Sequence, residues 1–67
     1  MSSFRKGDRV IVVAADAENA GTEGQTGSVH YTEDEADGQI AVKGIDGRVR
    51  EAVNGYRTYW PHQLRAM

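Results

Sequence analysis

Three of the five aromatic side chains of this 67-residue chain fall within Tyr56-Arg57-Thr58-Tyr59-Trp60-Pro61-His62, with an arginine among them. Tyr, Trp and Arg dominate binding hot spots, because a large ring or a guanidinium covers much area for little lost freedom. On one reading Trp60 and one tyrosine plug an end of the core. On the other, Tyr56, Arg57 and Tyr59 stay exposed as an anchor patch, and the two hold together when Trp60 is buried and the tyrosines lie outside. Lys43, Arg48, Arg50 and Arg65 fall on outward positions of the strands expected below. Such a strip suits an acidic protein partner or a nucleic acid backbone.

Other spacings carry less chemistry. Glu33-x-Glu35-x-Asp37-Gly38-x-Ile40 follows the first eight positions of an EF-hand calcium loop in outline. Position twelve needs a bidentate Glu and is Gly44, and strands rather than helices are expected on both sides. A solvated hairpin tip without a metal is the expectation there. Gly21-x-x-Gly24-x-x-Gly27 matches neither phosphate-loop fingerprint, lacks a lysine and carries Glu23, so these are expected to be flexible-loop glycines. His30 and His62 lie beside no nucleophile motif. Catalysis needs nucleophile, base and orienting group in register, and no such set is visible, so no enzyme activity is expected.

Composition bounds the rest. The net charge of −2 conceals a strong segregation. Arg5, Lys6 and Arg9 face only Asp8 near the start. Then come Asp16, Glu18, Glu23, Glu33, Asp34, Glu35 and Asp37 without a single Lys or Arg. Lys43, Arg48, Arg50, Arg57 and Arg65 follow against Asp46 and Glu51, so acidic loops and a basic face can share one small body. There is no cysteine to staple so short a chain, which must rely on one apolar core. No apolar run reaches membrane-spanning length and no signal-like segment opens the chain. A cytoplasmic protein is expected, with no membrane partner, no cofactor and no small-molecule substrate.

The elements that must position these residues follow from period-two patterning. Residues 9–14 form a β-branched run with Val10 and Val12 inward. Residues 15–24 read as a long loop holding one turn. A meander follows over 27–31, 39–43 and 48–53, closed by Asp37-Gly38 and Asp46-Gly47, the dipeptides that most favour hairpin turns. In it Val29, Tyr31, Ile40, Val42, Val49 and Val53 point inward, and Glu51, in register with the valines, should mark an edge or a bulge. Residues 56–61 cross over, and since Pro61 cannot donate to a ladder, the last strand begins after it with Leu64 inward. Residues 1–7 read as a polar, flexible lead-in to a single domain spanning 1–67. The fold class expected is all-β: a five-stranded small barrel with a long first loop and a short crossover turn before the last strand.

The order Phe4-x-x-Gly7-Asp8-Arg9-Val10, Gly24-x-x-Gly27-x-Val29, Ile40-x-Val42 and Tyr59-Trp60-Pro61-x-x-Leu64 resembles the small SH3-like barrel proteins of bacteria and phages, over almost the whole chain. It is similar, more loosely, to KOW-type domains and to the small peripheral SH3-like subunit of photosystem I. The resemblance implies an SH3-like barrel. Its KOW side implies RNA binding through a glycine turn flanked by bases, but here the approach to Gly27 carries Glu23 and no base. The function expected from residues and resemblance together is a non-enzymatic module that binds a protein partner through Tyr56, Arg57, Tyr59, Lys43, Arg48 and Arg50. Nucleic acid binding of the KOW kind is the alternative.

Overall fold

Five short strands are strung along the chain: β1 (Arg9–Val12), β2 (Thr26–Tyr31), β3 (Ile40–Lys43), β4 (Arg57–Tyr59) and β5 (Leu64–Ala66). One helix, α1 (Arg48–Asn54), lies between β3 and β4. The computed structural model describes residues 4–32 and 38–67. The strands make one antiparallel sheet of order β4-β3-β2-β1-β5. No helix among the described residues is long and apolar enough to cross a membrane.

The alternation of β-branched residues builds the core as expected. Val10, Val12, Val29, Ile40, Val42 and Leu64 pack in one cluster with Phe4 and Tyr59. Cross-strand register brings Val29 opposite Val42 and Val12 opposite Leu64, so each pair removes apolar area from water together. Phe4 belongs to this cluster, and the Gly7 amide donates to the Val29 carbonyl at 2.8 Å, which pins the lead-in from Phe4 onward. The long first loop is closed at its base by two backbone hydrogen bonds between Val12 and residues 24 and 25. It carries a single 3-10 turn over Ala17–Asn19.

Three expectations need correction. Residues 48–53 are not a strand; Arg48–Asn54 is helical, and Val49 and Val53 are 79% and 77% exposed. Arg, Glu and Ala are good helix formers, and the run is bracketed by Gly47 and Gly55, whose positive φ values of 87° and 81° suit helix ends. Asp46-Gly47 therefore opens a helix instead of closing a hairpin. Glu51, misplaced for a strand, accepts the Gly44 amide at 2.7 Å and ties α1 to the end of β3.

Tyr31 does not follow Val29 inward. The register between β2 and β3 shifts between Val29 and Tyr31, so the strict alternation breaks and Tyr31 emerges 42% exposed. Tyr59 and Trp60 exchange the places expected of them. Tyr59 lies in β4 opposite Ile40 and is fully buried, whereas Trp60, one residue beyond the strand, is 41% exposed with its ring over Gly38. The EF-hand-like residues Glu33, Glu35 and Asp37 lie outside the described residues.

Gly27 lies in β2, in keeping with the strand expected over 27–31. A Cβ there would run into the Lys43 carbonyl oxygen and approach Val42 Cγ1 to 2.7 Å. Gly27→Ala should therefore destabilise the fold by about 1–3 kcal/mol, because the obstacle is strand backbone that cannot step aside. Urea denaturation of the variant measures this directly. By contrast, Val49→Ser and Val53→Ser should each fall within about 0.5 kcal/mol of the parent, as exposed helix positions do. A loss of several kcal/mol in the same titration would instead place those valines in a core strand.

Candidate functional site

The crossover residues sort into two groups with opposite roles. Arg57 and Tyr59, two apart on β4, turn toward the long first loop. Arg57 Nε donates between both carboxylate oxygens of Asp46, at 2.9 and 2.8 Å. Its Nη1 donates to the Glu18 carbonyl and to Asn19 Oδ1, each at 3.1 Å. Asn19, buried within the loop, returns a hydrogen bond from Nδ2 to the Thr58 carbonyl at 2.8 Å. Thr22, also buried, donates its hydroxyl proton to the Asn19 carbonyl at 2.7 Å. Its oxygen lies 2.8 Å from the Tyr59 hydroxyl. With its only proton already committed, Thr22 accepts from Tyr59. Tyr59 is thus buried in the fold, while Arg57, held by these bonds, stays half-exposed and lines one hollow with Tyr56 and Arg50.

Tyr56 joins different neighbours. Its ring lies 4.3 Å from that of His30, which lies 4.3 Å from that of Tyr31, the planes tilted by 54° and 58°. The ammonium of Lys6 sits 5.5 Å over the Tyr31 ring, within cation–π range. Tyr31 and Tyr56 are both exposed, and His30 between them is half-buried. The shift in register after Val29 turns Tyr31 out beside His30, so residues expected on opposite faces share one.

Beside these rings runs a row of polar side chains set by strand pairing. Arg9 of β1 lies opposite Ser28 of β2, which lies opposite Lys43 of β3. Their neighbours Val10, Val29 and Val42 face the core, so this row faces outward. Arg9 Nη1 donates to Ser28 Oγ at 3.4 Å, a long bond that leaves most of the guanidinium available. Helix α1 supplies the opposite wall. Arg9, Ser28, Lys43, Arg48, Glu51, Ala52 and Tyr56, together with Gly44 and Gly47, enclose an open groove of about 530 Å³. The side chains of Lys43 and Arg48 make no hydrogen bond or ion pair with another described residue.

The helix divides the expected basic strip. Arg48 reaches this groove, while Arg50, two residues on, lines a smaller hollow of about 310 Å³ with Glu18, Asp46 and Asn54. Two residues around a helix is more than half a turn, so the two arginines cannot share a face as they would on a strand. Arg65 lies on β5 opposite Ile11, exposed and away from both. His62 is exposed in the 3-10 turn Pro61–Gln63. No group of three or more His, Cys, Asp or Glu among the described residues is placed to hold a metal ion. Of the residues singled out in the sequence, the structure gathers Lys43, Arg48 and Tyr56 about the groove and Arg50, Tyr56 and Arg57 about the smaller hollow. It adds Arg9, Ser28, His30 and Tyr31, which only the strand register reveals.

In comparison with known proteins, no family model matches the chain, and neither a curated protein nor a solved structure matches it.

Burial raises the pKa of the Tyr59 phenol above its ordinary value, against the opposing pull of Thr22 and the Arg57 charge. A phenol whose folded pKa is raised stabilises the fold below its unfolded value of about 10 and loses that contribution as pH climbs through the folded value. Stability should therefore fall on the alkaline side of about pH 10, and Tyr59→Phe should flatten that fall. At neutral pH the same substitution should cost about 1–2 kcal/mol, since Thr22 then loses its buried donor. Arg57→Ala should cost about 1–3 kcal/mol by leaving Asp46 and Asn19 short of partners. Urea titrations at neutral and alkaline pH check all of these.

Proposed function

We propose that this chain is a non-enzymatic interaction module of the cytoplasm, built as an SH3-like barrel, that holds a negatively charged polymeric partner on its ring-and-cation face. The strand order β4-β3-β2-β1-β5 and the 3-10 turn between β4 and β5 support the barrel reading. One observation carries the functional reading. Arg9, Lys43 and Arg48 stand around one open groove whose wall continues into Tyr56, His30 and Tyr31. Cations without carboxylate partners cost little to hold in water and gain most when an anion arrives. Exposed tyrosines contribute contact area while their hydroxyls stay hydrated.

A docked protein surface is the second reading. Val49 and Val53, four residues apart on α1 and both exposed, give it a specific basis. The docking patch expected at Tyr56, Arg57 and Tyr59 loses Tyr59 to the core and keeps Tyr56 and a half-exposed Arg57, so this reading rests on these two, on the helix and on Lys43 and Arg48.

The triple variant Lys43→Ala, Arg48→Ala and Tyr56→Ala removes the face without touching the core. Its melting temperature should stay within a few degrees of the parent, since surface changes each cost about 0.5 kcal/mol or less. Parent and variant are immobilised, exposed to native extract, and their bound proteins and nucleic acids identified. The variant should lose at least one component that the parent retains. Retention of the same set by both would overturn this assignment of the face.

A further inference from the structure

We infer that the ring-and-cation face binds single-stranded nucleic acid, with phosphates in the groove of Arg9, Lys43 and Arg48 and bases against Tyr31, His30 and Tyr56. This deepens the proposal above and rests on its assignment of the face. Single-strand binding needs two things side by side: a cationic track for the backbone and flat rings on which bases stack. Both are present here within one surface. The row Arg9–Ser28–Lys43 crosses three strands, with Arg48 facing it from α1. Tyr56 lines the same groove and leads to His30 and Tyr31 through contacts of 4.3 Å each. Ser28 adds a hydroxyl that can donate to a phosphate oxygen.

The rings decide between candidates. A duplex presents phosphates but hides its base faces inside the stack, leaving the tyrosines without a partner. An acidic peptide satisfies the cations, yet its carboxylates do not come with a flat group on every unit. A single strand supplies one charge and one ring per nucleotide. Among the described residues, the one acid lining the groove, Glu51, already has an oxygen engaged by the Gly44 amide. The chain's overall negative charge is local in sequence. Glu33, Asp34, Glu35 and Asp37 account for four of its ten acids, so the rest of the chain sets eight Lys and Arg against six acids.

The test uses fluorescein-labelled oligothymidine and oligouridine of about ten nucleotides, followed by anisotropy at several salt concentrations. A duplex of equal length and a polyglutamate of equal charge serve as competitors. Both single strands are expected to bind, and the oligouridine to oligothymidine ratio reports whether a 2′-hydroxyl is sensed. With three phosphate contacts, the logarithm of affinity should fall against the logarithm of salt with a slope of about −2. Lys43→Ala with Arg48→Ala should weaken binding at least about tenfold and reduce the slope to about −0.7, the value for one remaining contact. Tyr31→Leu with Tyr56→Leu should weaken binding about tenfold or more and leave the slope unchanged, which a purely electrostatic surface would not do. Thermal melts confirm that both variants are folded. Failure of either strand to bind at the lowest salt overturns the inference, as does tighter binding of the duplex or binding indifferent to both variants. Polyglutamate displacing the oligomers at equal charge also overturns it. If the extract experiment still shows a component lost from the triple variant, the interaction module stands without its nucleic acid.

Discussion

Everything else in this small fold depends on the hydrogen bond between the Tyr59 hydroxyl and Thr22, deep inside the protein. A chain this short has too few apolar side chains to enclose a long loop by hydrophobic burial alone. It uses a polar relay instead. Asp46 holds Arg57, Arg57 holds Asn19, Asn19 holds Thr58 and Thr22, and Thr22 holds Tyr59. All but the Asn19–Thr22 bond, which lies within the first loop, join the first loop, the approach to α1 and β4 to one another. A buried polar group is costly when unpaired and specific when paired, so the relay admits one arrangement of these segments.

That constraint also settles which side of the molecule faces outward with unspent chemistry. Asp46 is taken by Arg57, and Glu51 is engaged by the Gly44 amide. The acids nearest the basic residues are thereby drawn into holding the fold. Lys43 and Arg48 then face the groove without a described carboxylate partner, and among the described residues the Arg9 guanidinium is met by Ser28. Helix α1 stands against the sheet through Glu51 and buries none of its residues. Its freedom from packing explains how two valines can stay in water at modest cost while Arg48 and Ala52 line a groove.

What the sequence makes legible follows from how local each signal is. Val29, Ile40, Val42 and Leu64 are core, because alternation along one strand is enough to assign them. In the β-branched run 10–13, by contrast, only the alternation of Asp8 with Val10 and Val12 favours that pair, which is also core. The segment 48–53 goes astray since its valines lie four apart, a spacing that two turns of alternation and one turn of helix both satisfy. Glu51 was the discriminating residue, an acid at a position no inner strand face would hold. Tyr59 and Trp60 are adjacent large rings, and composition cannot say which one faces in. Only the pairing of Tyr59 with Ile40, and the presence of a distant threonine for its hydroxyl, decides that. Likewise Arg9, Ser28 and Lys43 lie far apart in the chain and meet only through the registers of two strand pairs.

The break in register after Val29 has the largest consequence for function relative to its size. Were β2 regular throughout, Tyr31 would continue inward behind Val29 and His30 alone would face out. One residue of shift brings Tyr31 to the surface next to His30, and Tyr56, delivered by the end of α1 and Gly55, completes the group. Bulges cost ladder hydrogen bonds and recur where a side chain must be re-aimed. Here the re-aimed side chain adds a second exposed tyrosine to a cluster of rings that adjoins cations. The core tolerates the loss because Tyr59, arriving from β4, supplies a large ring in its interior, anchored by Thr22. The exchange of one tyrosine inward and another outward thus links the relay that holds the fold to the face proposed to meet a partner.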